Sequence, residues 1–403
     1  MEFQVTNKAK LLTTVLMVVG VVFTAIGVVM AMGEGGHLGQ KFMGNLLVNS
    51  FYFFAMGISA LFFLALQYAT ESGWYAAVKR VIEAIAGYLP YGIALMLITL
   101  LTLSFTSGGH IYMWMDNEVM QEGGSHYDEL AAGKGAYLNL PFFWIRTLAY
   151  FAVYLLFWKG FQKRSLLQDS SPDQAEAIHF TNYKKSAVFL VCFAVFSSAS
   201  AWDWIMSIDV HWFSTLFGWY IFAGAWCSAM VVLVLLVLYL KKLGYLPKVN
   251  DSHIHDIGKW VFATSFLWSY MWFSQYMLIW YANIPEETTY YLMRIENYKL
   301  VYFGMFLINF AFPMLILMSR DAKRNAGILA FVGVVILVGH WLDVWVMVMG
   351  GSMGPNASFG PMELGLGLLF AGFFIRTILV NLTKAPLTPK YHPFLDESLH
   401  HHI

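Results

Sequence analysis

Leu11–Met32 reads LLTTVLMVVGVVFTAIGVVMAM, a run without a single charge. Crossing a hydrocarbon layer ~30 Å thick takes roughly 20 apolar residues as helix, so this run alone is long enough to span. Nine further stretches share its character: Leu46–Ala69, Tyr88–Ser107, Leu138–Phe161, Lys185–Ile208, Phe213–Leu240, Trp260–Ala282, Leu300–Met318, Ile328–Met349 and Met362–Leu382. With 59% hydrophobic and only 12% charged residues, the 403-residue chain cannot clothe so much apolar surface in water. The sequence therefore predicts an all-α integral membrane protein with ten transmembrane helices.

If the spans alternate in direction, the basic residues separate by side. One side collects Lys8, Lys10, Lys79, Arg80, Lys159, Lys163, Arg164, Lys184, Lys185, Lys241, Lys242 and the rest through Lys390; the other holds only Lys41, Lys134, Arg294 and Lys299. The positive-inside rule then places both termini in the cytoplasm. The opposite loops lean acidic, with Asp116, Glu118, Glu122, Asp128 and Glu129 in one and Glu286, Glu287 and Glu296 in another. A formal net charge of zero points to no nucleic-acid partner. Cys192 and Cys227 both fall inside spans, as small buried residues rather than a disulfide or metal pair. No cleavable signal is expected, since the first run exceeds an h-region and leads into Gly33-Glu34-Gly35-Gly36.

Between spans, 108–137 and 283–298 read as polar outer loops, and 165–183 as a soluble cytoplasmic one. Trp74–Ala86, with Lys79, Arg80 and Glu83 among Val78, Val81 and Ile82, has the pattern of an amphipathic helix lying at the interface. Laying spans two to five over spans six to nine aligns Trp202-Asp203-Trp204 with Trp341-Leu342-Asp343-Val344-Trp345. An offset of four spans preserves direction, so the alignment is either a parallel repeat of two four-helix bundles or a chance likeness between apolar helices. The chain is then one membrane domain, with bundle one at about 45–209 and bundle two at about 213–350.

Ionisable residues in hydrocarbon are expensive, about 2.5–3.5 kcal/mol on insertion scales, and are functional candidates for that reason. They are Arg146, Asp203, His340, Asp343, Glu363 and Arg376. At ~1.5 Å per residue, Arg146 lies about 12 Å, Asp203 about 9 Å and Asp343 about 10 Å below the outer end of its span. Matched depths permit one shared polar site. Ser200, Asp203 and Ser207 share a helix face, as do His340 and Asp343. Thr99, Thr102, Thr106 and His110 form a polar stripe along span three. Each feature has a plainer alternative. Arg146 with Asp203 is equally an ion pair that fixes packing, the hydroxyl stripes are more often interhelical hydrogen bonds than proton wires, and Glu363 near a span end reads first as a solvated group.

Bis-histidine haem needs facing transmembrane histidines, and His340 is the only deep one. There is no cysteine cluster for iron–sulfur, no phosphate-binding glycine loop and no metalloprotease pattern. No covalent or metal cofactor is expected in this chain.

Two longer runs are distinctive: Ser198–Tyr220, SASAWDWIMSIDVHWFSTLFGWY, and Trp280–Thr288, WYANIPEET. Both resemble the signatures of the ActF family of membrane subunits of bacterial alternative complex III, within the NrfD/PsrC-like superfamily, and the likeness extends over essentially the whole chain. It implies two four-helix bundles, spans two to five and six to nine, flanked by spans one and ten. It also implies a subunit of a respiratory quinol:electron-acceptor oxidoreductase in the bacterial cytoplasmic membrane. Haem and iron–sulfur are then expected in partner subunits (ActC, ActB, ActD, ActA and ActE-like), with a terminal oxidase and lipids as further neighbours. Proton conduction is the role favoured for this family, carried over to Asp203, His340 and Asp343. Two other readings stay open: a quinol-binding catalytic subunit using His110 or Asp203, and a secondary transporter, for which Pro313 is the only deep proline.

Overall fold

The computed structural model describes residues 3–33, 38–105 and 111–402. Regular structure among them is entirely helical: α1 Asn7–Met32, α2 Leu38–Ala69, α3 Lys79–Ala86, α4 Leu89–Phe105, α5 Leu140–Gln168, α6 Ala175–Trp204, α7 Phe217–Lys242, α8 Asp251–Ala282, α9 Pro285–Phe306, α10 Phe312–Leu317, α11 Ala326–Met353 and α12 Pro361–Leu382. Short turns punctuate the connections. Among the described residues, nine helices are long and apolar enough to cross a membrane, so this is a multi-pass membrane protein by length and composition. The stretch expected as a seventh span, Trp260–Ala282, is helical as the later part of α8 but is not one of the nine. Its bulk comes from Trp260, Trp268, Tyr270, Trp272, Tyr276, Trp280 and Tyr281, whose N–H and O–H groups make it less apolar than aliphatic helices.

α2 is the hub. It touches α3, α4, α6, α7, α11 and α12, and is buried on nearly all sides, which explains its lack of an amphipathic stripe. α5 closes against α4 and α6, while α7, α8, α11 and the α9–α10 helix pack around one another. α1 stands outside and leans on α12. That contact is backbone to backbone: a Cβ on Gly20 would sit 2.5 Å from the Leu369 nitrogen, and one on Gly365 would sit 2.3 Å from the Thr24 nitrogen. In lipid, where apolar burial does not drive helices together, such close approach supplies the attraction.

Local sequence explains the helix ends. Asn139, Asn250 and Asn325 cap α5, α8 and α11 by accepting from first-turn N–H groups at 3.0, 3.0 and 2.9 Å. Asn283 adopts the left-handed conformation that stops α8, and Pro285 starts α9 at once. The 283–298 region is therefore the first turns of a helix, not a loop. Likewise 165–183 is mostly helical, being the end of α5, a turn at Pro172–Gln174 and the start of α6. Pro313 has no N–H for the carbonyl four residues back, and the chain just before it widens into a π turn, Leu307–Ala311.

The amphipathic stretch Trp74–Ala86 does not lie exposed at an interface. It forms a 3₁₀ turn and α3, with Lys79 and Arg80 almost fully buried. Arg80 bonds Glu83 at 2.6 Å and also Asp169 and Ser165, so its charge is neutralised inside the protein rather than by lipid headgroups. The segment after α12 folds back over α3. Ser398, fully buried, donates to the Trp74 carbonyl at 2.7 Å and accepts from Ala77 N–H at 3.1 Å.

Candidate functional site

Two buried carboxyl groups organise the polar interior, and they are built differently. Asp203, on the last turn of α6, faces α5. Arg146 grips it with two parallel bonds, Nε to Oδ2 and Nη2 to Oδ1, both 2.8 Å, and Tyr150 donates to Oδ2 at 2.9 Å. The guanidinium is further held by the Tyr137 carbonyl at 3.1 Å and lies over the Tyr137 and Phe142 rings at 3.9 and 4.2 Å. Ser207 donates to the Asp203 carbonyl at 2.6 Å, which tightens the end of the helix. Both oxygens of this carboxylate are answered by fixed donors. The assembly is a clamp between α5 and α6.

Asp343, in the C-terminal half of α11, has no such cation. Tyr220 of α7 donates to Oδ1, and Trp268 of α8 donates to Oδ2 at 2.9 Å. Among the described residues it forms no ion pair. It also borders a small cavity lined by Trp272, Gln275, Tyr291, Arg294 and Tyr302, with room for about one water. The Tyr302 hydroxyl and Arg294 Nε are both buried there without a protein partner. Water is the usual partner of such groups.

One turn deeper, His340 is buried with neither ring nitrogen bonded to protein. The Trp268 ring meets it edge-on at 5.2 Å, and Gly224 of α7 leaves the room it needs, since a Cβ there would lie 3.2 Å from Nδ1. On their shared helix face His340 and Asp343 make no direct hydrogen bond, and Trp268 donates to one of the Asp343 oxygens. Ser228 and Tyr52 continue the polar groups toward α2: the Tyr52 hydroxyl donates to the Leu337 carbonyl at 2.8 Å and lies 3.3 Å from Ser228 Oγ. Asn309, on the π turn, is fully buried with its amide atoms unpaired in the protein and presses against Gly339.

The other expected residues scatter. Asp203 and Asp343 have no partner in common, so the matched depths do not make one site. Thr99 bonds Ser50 across to α2 at 2.9 Å, an interhelical contact, while Thr102 donates to its own helix at the Ile98 carbonyl. Ser200 donates to the Ser197 carbonyl and lines a separate aromatic cavity with Tyr154 and Phe222. Glu363 is not solvated: it is fully buried, accepts from Asn45 Nδ2 at 2.8 Å and from Gly360 N–H at 2.8 Å, and has Lys41 at 4.0 Å. Arg376 is half-buried on α12, apart from both carboxyl centres. Thr106 and His110 lie outside the described residues. Three participants escaped the sequence reading. Tyr220 and Trp268 look like ordinary membrane aromatics, and Arg294 sat in what read as an outer loop.

No protein-family model matches the chain, and no curated protein matches it.

Proposed function

We propose that this chain is an ActF-like membrane subunit of a respiratory quinol:electron-acceptor oxidoreductase, scaffolding the complex and exchanging protons at Asp343 and His340. In this reading the chain crosses the bacterial cytoplasmic membrane ten times, with both termini cytoplasmic. Two four-helix bundles, α2–α4–α5–α6 and α7–α8–(α9–α10)–α11, are flanked by α1 and α12. The neighbour relations among these helices support that arrangement. Haem, iron–sulfur and the quinol belong to partner subunits.

One observation carries the functional part: of two buried acids in matching sequence contexts, Asp203 is locked by a bidentate arginine, whereas Asp343 has only neutral donors and borders a cavity. A locked carboxylate cannot take up a proton without breaking an ion pair. One held by a phenol and an indole beside room for a water can. A proton reaching Asp343 passes to His340 through a water or a rotation of either side chain, since the two make no direct hydrogen bond. Beyond His340, Ser228 and Tyr52 offer the next hydroxyls. The energy for uphill transfer arrives mechanically, from the partner that oxidises quinol.

The test is Asp343→Asn in the whole complex reconstituted into vesicles. Quinol oxidation without an opposing membrane potential should stay near the parent rate, while protons moved per electron should fall. Loss of quinol affinity with an unchanged proton-to-electron ratio would instead make the site a quinone pocket.

A further inference from the structure

Arg294 lines the Asp343 cavity and pairs with Asp209, which belongs to neither acid centre. Arg294 is 1% exposed and reaches three separate segments. Nη1 donates to the Tyr290 carbonyl of its own helix at 3.0 Å; Nη2 donates to the Met347 carbonyl of α11 at 3.0 Å and to Asp209 Oδ2 at 2.8 Å. Asp209 belongs to the connection between α6 and α7, and its side chain is 25% exposed. The guanidinium lies 3.4 Å above the Tyr290 ring, whose other face stacks on Trp212 at 3.9 Å.

The outer end of α11 is shaped for this pair. A Cβ on Gly351 would fall 2.8 Å from Asp209 Oδ2, and one on Gly350 would fall 3.5 Å from Arg294 Nε. Gly351 thus keeps open the space that Asp209 occupies, while a methyl at position 350 would meet Arg294 at ordinary contact distance. The residues beside Asp209 are clamped from outside: Lys134 donates to the Val210 carbonyl, and His211 pairs with Asp128 at 2.8 Å. On the inner side, Arg294 lines the same cavity as Asp343.

We infer that the Arg294–Asp209 pair is a latch closing the outer mouth of the Asp343 cavity, with Arg294 as a positioning residue that excludes bulk water. Closed, the pair ties the α6–α7 connection to α9 and α11 and leaves only a water-sized space over Asp343. Opening requires those three segments to part, which breaks one ion pair and one bond to the Met347 carbonyl. The latch serves the proton-exchange reading and rests on it for its purpose, but its geometry can be tested separately.

The probe is a cysteine at Val346, which lines the cavity, in a Cys192→Ser/Cys227→Ser background of the intact complex. A small membrane-impermeant methanethiosulfonate cation is added from the outer side. With the latch intact, labelling should be slow. Asp209→Asn should speed it at least tenfold, and so should Gly351→Ala, which displaces Asp209 without removing a charge. Asp209 is partly exposed and Gly351→Ala leaves the ion-pair chemistry intact, so the pair of variants covers a folding failure in either. Equal labelling rates in parent and both variants, or fast labelling in the parent, would overturn the latch. Faster labelling in the variants together with an Asp343→Asn complex of normal proton-to-electron ratio would leave the latch standing and remove the proton reading.

Discussion

Arg146 and Asp203 meet through two parallel 2.8 Å bonds, Nε to Oδ2 and Nη2 to Oδ1, across the α5–α6 interface. Neither Asp343 nor Glu363 is held in this way, and the difference separates the acid that fixes packing from the one assigned to exchange. Removing one member of a buried pair strands the other, at about 3–5 kcal/mol. Arg146→Ala and Asp203→Asn should each approach that loss, and the double variant should lose clearly less than the sum. Unfolding of the detergent-solubilised protein in a double-mutant cycle measures the coupling, and additive losses would mean that the two do not share an environment.

Tyr220 and Tyr302 offer a matched comparison near Asp343. Tyr220 donates to the carboxyl, while the Tyr302 hydroxyl is buried without a protein partner. Tyr220→Phe should therefore destabilise by about 1–3 kcal/mol through the unsatisfied acceptor it leaves. Tyr302→Phe should be close to neutral. The reverse order in thermal unfolding would contradict the bonding described for Asp343.

The α1–α12 contact depends on bare backbone. Gly365→Ala places a methyl against the Thr24 nitrogen, and Gly20→Ala places one against Leu369. Overpacking of this kind costs about 1–3 kcal/mol, and α1 has few other neighbours to compensate. Cross-linking between cysteines placed on α1 and α12 should fall in either variant while the rest of the fold persists.

The segment after α12 should dock in a pH-dependent way. His392 is buried against Tyr75 and His179, with its Nε2 3.4 Å from the Tyr75 hydroxyl. Burial first, and then the charges of Lys79, His179 and Arg80, hold its imidazole well below the ordinary range. Once released, the ring returns to about 6.5 and binds a proton that the docked ring refuses. Docking is therefore fully stable above that pH and weakens as pH falls below it, by up to about 1.4 kcal/mol per unit. Proteolysis or hydrogen exchange across 385–402 should increase between pH 7 and pH 5.5, and His392→Phe should flatten the response.

Much of the helical layout follows from residue order alone. Uncharged runs such as Leu11–Met32 must be helical in lipid, since only helices satisfy every backbone group within one segment. Asn283 followed by Pro285 carries the stop and restart of α8 and α9 in its own backbone preferences, though the polar residues after it read as loop. The intramembrane charges Arg146, Asp203, His340 and Asp343 stand out against their surroundings, and the first two fall on consecutive helices at similar depth. Partner choice is a different kind of fact. Asp203 and Asp343 have similar neighbours in sequence, yet one meets a guanidinium and the other a phenol and an indole, because different helices face them. Arg294 reads as a loop cation until α9 is seen to carry it under Asp209 and beside Gly350 and Gly351. Glu363 reads as solvated until Asn45, from the far end of the chain, covers it. Periodicity and hydrophobicity are local, and residue order settles the helices for that reason. Which side chains neutralise a buried charge is decided only when distant helices pack, because the cost of burying it is set by whatever atoms end up within about 3 Å.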